Sequence, residues 1–245
     1  MSFLNAEWKK LAIANFGIEP EILSEFVPAG TELDLWQNKC YVSLVGFMFL
    51  NTRLLGLKIP FHINFEEVNL RFYVKRIEDG KIKRGVVFIK EIVPKPALTL
   101  VANGVYKENY ETMPMNHRWE ETAESLWVEY QWKKAGQMNS FLIEADLIPS
   151  EIEPNSKTEF ITEHYWGYAK VNEQKSIEYE VTHPRWKAYQ VRNFKLDVDF
   201  GEVYGQKFDF LNELQPDSVM LAEGSEITVE HKRTILVNPS MVQNP

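Results

Sequence analysis

The sequence predicts a mainly β protein, an antiparallel barrel or sandwich, and three observations predict it. Segments rich in β-branched and aromatic residues recur along the chain with turn signals between them. Helical periodicity is confined to two short stretches. Aromatic residues fill 13% of the 245 positions within a hydrophobic fraction of 44%, a composition that a disordered chain does not carry. All-β folds of this length are commonly single domains.

Taken in order, residues 8–16 read as the first strand. Residues 19–27 form the first helix, with Ile22, Leu23, Phe26 and Val27 on one face, Pro20 in the first turn and Pro28 as the stop. The most apolar stretch, residues 40–50 (CYVSLVGFMFL), has about half the roughly 20 residues of a membrane-spanning helix. Its β-branched and aromatic content makes it a buried strand. Residues 67–75 and 84–93 are strands, and Glu78-Asp79-Gly80 is the hairpin turn that pairs 68–75 with 83–92. Residues 96–107 form the second helix, with Leu98, Val101 and Val105 at helical spacing and Gly104 weakening its last turn. Strands are then expected at 125–132, 140–145, 159–170, 177–181, 187–197, 201–210, 218–222 and 227–236. The softer run PSEIEPNS, residues 149–156, is read as a surface loop within one domain of residues 1–245 rather than as a linker.

Composition excludes several classes of function. A net charge of −8 and a pI near 5.3 argue against a phosphate-backbone partner, so no nucleic acid is expected. Cys40 is the single cysteine, which excludes a disulfide framework and a multi-cysteine zinc site. It lies in the most apolar strand and reads as a core residue. The N-terminus lacks the pattern of a signal peptide, and with a lone thiol this points to the cytoplasm. The motifs GxGxxG, GxxxxGK[ST], GxSxG and HExxH are absent. The five histidines are scattered, and His62 with Glu66 and Glu67 is the one compact nitrogen and oxygen group. No metal, cofactor or membrane is expected.

Three clusters are candidates for chemistry. Strand alternation from residue 67 sends Glu67, Asn69 and Arg71 to one face, as a solvated surface or as the polar lining of a barrel. Lys107 ends the second helix among Val105, Tyr106, Tyr110 and Met113, as a dipole partner or as an amine whose pKa burial would lower. If 158–170 is regular strand, Phe160, Thr162, His164, Trp166 and Tyr168 share a face. That face suits either a small-ligand pocket or a packed core with one satisfied histidine.

The runs FVPAGTELDLWQNKCYVSLVGFMF, FEEVNLRFYV, GVVFIKEIVPKPA and EHYWGY resemble a bacterial family, domain-of-unknown-function 2071, over nearly the whole chain. That family is grouped with the acetoacetate decarboxylase-like superfamily, and the resemblance implies an antiparallel β-barrel with a central cavity and a few short helices. In acetoacetate decarboxylase a lysine forms a Schiff base, and an adjacent lysine lowers its pKa. Lys107 is the nearest match to one of that pair. Its neighbour is Glu108, so the pair is not retained, and an acidic neighbour would keep Lys107 charged. Glu66 or Glu67 would stand for the family's acidic residue. The stretch Trp8-Lys9-Lys10 matches the place of an early arginine, with Lys9 a cation for a substrate carboxylate.

The resemblance thus implies a cavity for a small keto or carboxylic acid, with lyase-type chemistry. Lys107, Glu67 and Glu66 would be the catalytic groups. Arg71, Asn69, Lys9, His62, His164, Trp166 and Tyr168 would contact the ligand. The alternative is a non-catalytic binder of an apolar or aromatic metabolite in the same cavity. Aromatics exposed on a sheet edge would support a homo-oligomer.

Overall fold

The computed structural model describes residues 2–237. The main sheet runs through Ser218–Val229, Leu4–Ile18, Cys40–Leu54, Phe65–Glu78 and Lys81–Val93, then through Trp166–Asn172 and Lys175–Thr182. Neighbours along this path are antiparallel except where Trp166 and Gly167 pair parallel with Gly85 and Val86. The path also returns on itself, because Val181 and Thr182 pair with Val229 and Thr228. The protein is therefore mainly β with few short helices, and its large sheet is strongly curled around an interior.

A second, four-stranded sheet lies over the outer face, in the order Val191–Asp197, Gln137–Ala145, Leu126–Lys134, Met115–Glu121. Val128, Tyr130, Trp132 and Ile143 from this sheet share one core with Leu44 and Leu70 of the curled sheet. Gly46 permits the contact, since a Cβ there would lie 2.8 Å from the Tyr130 ring. The Tyr130 hydroxyl donates to the Lys10 carbonyl at 2.8 Å. Lys10 itself sits at a bulge with φ 55°.

The central strands are covered on both faces, which is why 40–49 is continuously buried and mostly apolar rather than alternating. Leu11, Ile13, Val45, Phe47, Tyr73 and Val86 form a separate core on the inner face. Each such side chain contributes about 1.5–3 kcal/mol by leaving water.

Several expected elements form as read. Asp79 and Gly80 take φ 51° and 74°, the two left-handed positions of a two-residue hairpin between Glu78 and Lys81. The first helix is the 3-10 turn Pro20–Phe26. The second is an α-turn, Pro96–Val101, followed by a π-turn, Ala102–Tyr106.

Others differ. The expected strand over 159–170 divides into a helix, Lys157–Thr162, and a strand, Trp166–Asn172. The helix starts at a cap, with Ser156 Oγ accepting from the Glu159 amide at 3.1 Å. The expected strand over 201–210 is two helical turns, Phe200–Tyr204 and Gln206–Glu213, the first capped by Asp199, which accepts from the Glu202 amide at 2.9 Å. Both sites carry a capping residue three positions before a glutamate, and this local hydrogen bonding outweighs the aromatic content. The segment 187–197 contributes Lys187–Tyr189 to the curled sheet and Val191–Asp197 to the second. Met115–Glu121 is a further strand. Ser150–Glu151, within the soft segment, pairs with Lys187 and Ala188.

Candidate functional site

The curled sheet encloses a cavity of about 250 Å³. Much of its wall is aromatic. Trp8 packs edge-on against Phe47 at 5.3 Å and against Trp186 at 6.3 Å, and Phe49 stacks on Phe65 at 4.7 Å.

Polar groups enter through strand alternation. In Phe65–Glu78 the even positions Val68, Leu70 and Phe72 face the outer core, and Glu67, Asn69 and Arg71 line the cavity. The neighbouring strand adds Glu91. A bulge lies there, because Leu70 pairs with Lys90 and Arg71 already pairs with Phe88. The extra residue reverses the alternation, so that Val86, Phe88 and Glu91 all face inward.

The second helix ends at Lys107, whose backbone is left-handed at φ 61° and ψ 29°. That turn separates two adjacent residues. Lys107 is exposed and lies outside the cavity wall, and Glu108 enters the wall. Among the described residues the wall contains no lysine.

Three carboxyl groups therefore meet inside a largely apolar chamber. Glu67 Oε1 accepts from Asn69 Nδ2 at 2.9 Å, and its Oε2 accepts from the Tyr110 hydroxyl at 3.3 Å. Glu108 Oε1 accepts from the Tyr179 hydroxyl at 2.8 Å. Gly167 admits that tyrosine, since a Cβ there would lie 2.1 Å from its ring.

Burial pushes the Glu67 carboxyl up to about 7, against the opposing pull of Asn69, Tyr110 and Arg71. Burial, with the Glu67 charge adding, pushes Glu108 up to about 8 despite the Tyr179 bond. Glu91 is raised well above the carboxylate range by burial and by Glu108 and Glu67.

Further along, His164 lines the cavity between the Tyr73 and Phe160 rings, at 4.7 and 5.3 Å. Its Nε2 lies 3.3 Å from Asp34 Oδ2, which also accepts from Arg84 Nε at 2.6 Å. An ionised carboxylate only accepts, so Nε2 carries the proton and Nδ1 keeps a lone pair. Burial lowers the His164 pKa to about 4, with Asp34 opposing and Arg84 reinforcing, and the ring is neutral at pH 7.

Buried polar atoms without a partner concentrate here. Trp8 Nε1, Thr52 Oγ1, Asn69 Oδ1, Arg71 Nε, Glu91 Oε2 and His164 Nδ1 all belong to residues of the cavity wall. Native structures leave few such atoms, because each costs about 1–3 kcal/mol.

Of the residues singled out in the sequence, Glu67, Asn69, Arg71, His62 and His164 line the cavity. His62 Nδ1 lies 2.9 Å from the Pro60 carbonyl. Glu66 faces the second sheet, where its carboxylate meets His117 Nδ1 at 2.7 Å. Lys9 is not in the wall, although its neighbour Trp8 is. Trp166 borders the cavity with Lys83 Nζ 4.1 Å from its ring centroid. Tyr168 is buried in the outer core. The shared face expected for 160–168 does not form, because the chain is helical up to Thr162.

Residues not anticipated as cavity groups are Glu91, Glu108, Tyr110, Tyr179, His183 and Trp8. Glu108, Tyr110 and Tyr179 are each flanked by polar residues in the sequence, so no local pattern marks them as cavity groups. Among the described residues no three His, Cys, Asp or Glu side chains are arranged to hold a metal ion. No helix there is long and apolar enough to cross a membrane.

The curled sheet, its covering sheet and the enclosed cavity define a protein of the acetoacetate decarboxylase-like fold. An acetoacetate decarboxylase-like enzyme from Sphingomonas wittichii RW1 superposes with a TM-score of 0.66 at 9% identity, covering 97% of this chain and 95% of that one. The enduracididine biosynthesis enzyme MppR complexed with pyruvate gives 0.64 at 11% identity, covering 96% and 91%. Acetoacetate decarboxylase from Legionella pneumophila gives 0.64 at 9%, covering 94% and 86%. The chain belongs to the domain-of-unknown-function 2071 family, described as an uncharacterized conserved protein, whose model matches residues 5–226. The uncharacterized protein YqjF of Bacillus subtilis is 35% identical over 68 residues, a match spanning 27% of this chain and 28% of YqjF.

Proposed function

We propose that the cavity binds a small oxo or carboxylic acid, with its carboxylate on Arg71 and its body against the aromatic wall. The observation that carries this reading is the set of unpartnered polar atoms in one wall, Arg71 Nε and Asn69 Oδ1 among them. A bound carboxylate would supply the acceptor that Arg71 Nε lacks. The complex of MppR with pyruvate supports the same ligand class on the same fold.

A Schiff base needs an amine in the wall, and the described wall has none. The chemistry proposed is acid–base instead. Ionised Glu67 takes a proton from the carbon next to the ligand carbonyl, and protonated Glu108 gives one to the carbonyl oxygen. The product is the enol, and the reverse steps return the oxo acid. Their pKa values near 7 and 8 make the two opposite protonation states available together at neutral pH.

Thermal-shift titration with pyruvate, acetoacetate and phenylpyruvate tests the binding. Proton NMR in D2O tests the exchange of the hydrogens next to the carbonyl. Stabilisation by at least one acid, lost in Arg71→Met, is expected. No stabilisation by any acid, or stabilisation that survives Arg71→Met, would refute the reading.

A further inference from the structure

Arg71 accounts for the carboxylate end of the ligand, and Glu91 at the other end has no part in the proposed acid–base chemistry. Glu67, Asn69 and Arg71 lie on one face of one strand. At about 3.3 Å per residue, Arg71 is ~13 Å along the backbone from Glu67. Glu91 and Glu108 sit at the Glu67 end, since each raises the pKa of another member of the trio or has its own raised by one. The groups around them are Tyr110, Tyr179 and Tyr106, with Arg71, His164 and His183 towards the far end. The wall thus has Arg71 at one end and the three carboxyl groups at the other.

Polarising a carbonyl requires one or two donors. Three buried carboxyls exceed that need, and a buried acid without a counter-ion is costly. The two tyrosines donate one hydrogen bond each, and among the described residues no ion pair joins the trio to a cation of the wall. Independently of the acids, Asn69 Oδ1 is an acceptor in a residue 1% exposed, and it has no donor. Glu91 Oε2 is a second unpartnered acceptor in a residue 2% exposed. Both call for a ligand group that donates. The faces of Tyr106 and Tyr179, edge-on to each other at 5.2 Å, add a surface that favours positive charge.

We propose that the ligand is zwitterionic, an acid whose end remote from the carboxylate carries a protonated nitrogen held by Glu67, Glu91 and Glu108. This rests on the carboxylate contact to Arg71 and takes the place of the acid–base step, because Glu67 and Glu108 hold the nitrogen rather than serve a carbonyl. An arriving ammonium draws the glutamates into their ionised form. Binding therefore releases protons to the solution and strengthens as pH rises from 6 to 8. A carboxylate without the nitrogen behaves in the opposite way, because ionisation of Glu67 cancels part of the Arg71 charge.

The test is isothermal calorimetry of the intact chain at pH 6 and pH 8, in two buffers of different ionisation enthalpy. The probes are 4-aminobutanoate, 6-aminohexanoate and 8-aminooctanoate, each against the alkanoate of equal chain length. At pH 8 at least one amino acid is expected to bind tenfold or more tightly than its alkanoate, with net proton release. The variant Glu91→Gln is expected to abolish that preference and to retain alkanoate binding. Circular dichroism and binding of the alkanoate report whether the variant is folded. Alkanoates that bind as tightly as the amino acids at every length overturn the zwitterion and leave the carboxylate site standing. Absence of binding by both series overturns the two readings together.

Discussion

Replacing Glu67 by glutamine should stabilise the empty protein above neutrality and leave it nearly unchanged in mild acid. Glu67 is 2% exposed, and burial lifts its pKa from the ordinary value of 4.5 to about 7. The sign follows from the direction of that shift. Below pH 4.5 the carboxyl is protonated both folded and unfolded, and its contribution is fully present. As pH rises from 4.5 through 7, the unfolded chain sheds the proton more readily than the folded one, and stability falls. At about 1.4 kcal/mol per pKa unit, the loss at pH 8 is about 3 kcal/mol. The glutamine side chain keeps an oxygen to accept from Asn69 and carries no charge to bury. For a chain of this size, about 3 kcal/mol corresponds to roughly 6–12 °C in Tm. Urea unfolding and thermal scans of both proteins at pH 5 and pH 8 measure the difference. Equal pH dependence in the two proteins would refute the argument, because it would mean that Glu67 is ionised in the folded state at no cost.

Three further substitutions probe the frame around the cavity. Gly167→Ala should cost about 1–3 kcal/mol in urea unfolding, because the new methyl meets the Tyr179 ring and dislodges its bond to Glu108. Glu178→Gln should cost about 3 kcal/mol, since Glu178 is fully buried against Arg76 and Lys83 at 3.3 Å each and against Arg233, and its loss leaves those cations poorly paired; urea unfolding measures this too. Lys107→Gly should leave acid binding unchanged and raise stability by up to ~1 kcal/mol, because glycine adopts φ 61° without strain. A loss of acid binding in Lys107→Gly would place that amine in the site after all.

Legibility in the sequence varies with the physics of each segment. The strand carrying Glu67, Asn69 and Arg71 is readable because it is regular. Its period of two holds from Phe65 to Val74, and polar residues at every second position have to share a face. Glu91 is hidden by the opposite circumstance. The bulge before it shifts the phase, so simple alternation groups Glu91 with Val87 and Ile89 of the outer core, whereas it faces inward. Glu108 stands out in the sequence only as the neighbour of Lys107. One left-handed residue turns the two in different directions, and sequence spacing does not reveal such a turn. His164 belongs to the cavity for a different reason than the sequence suggests: it arrives from the segment after a capped helix, not from an aromatic strand face. Its partner Asp34 lies 130 positions away, a separation that only the folded sheet removes.

The composition of the wall gives the cavity two electrostatic regimes. Below about pH 7 the three glutamates are mostly protonated and Arg71 is the dominant charge, so under the proposed function a simple carboxylate would be the best guest. Above about pH 8 the same wall bears at least as much negative as positive charge, and an acid without a compensating cation meets growing repulsion. His164 does not alter this balance, because burial keeps it neutral throughout. The position next to Lys107 is decisive in both regimes. A lysine in place of Glu108 would add a second cation to the pocket and favour covalent capture of a carbonyl. The glutamate instead puts a third carboxyl group at that end, whose pKa burial raises to about 8.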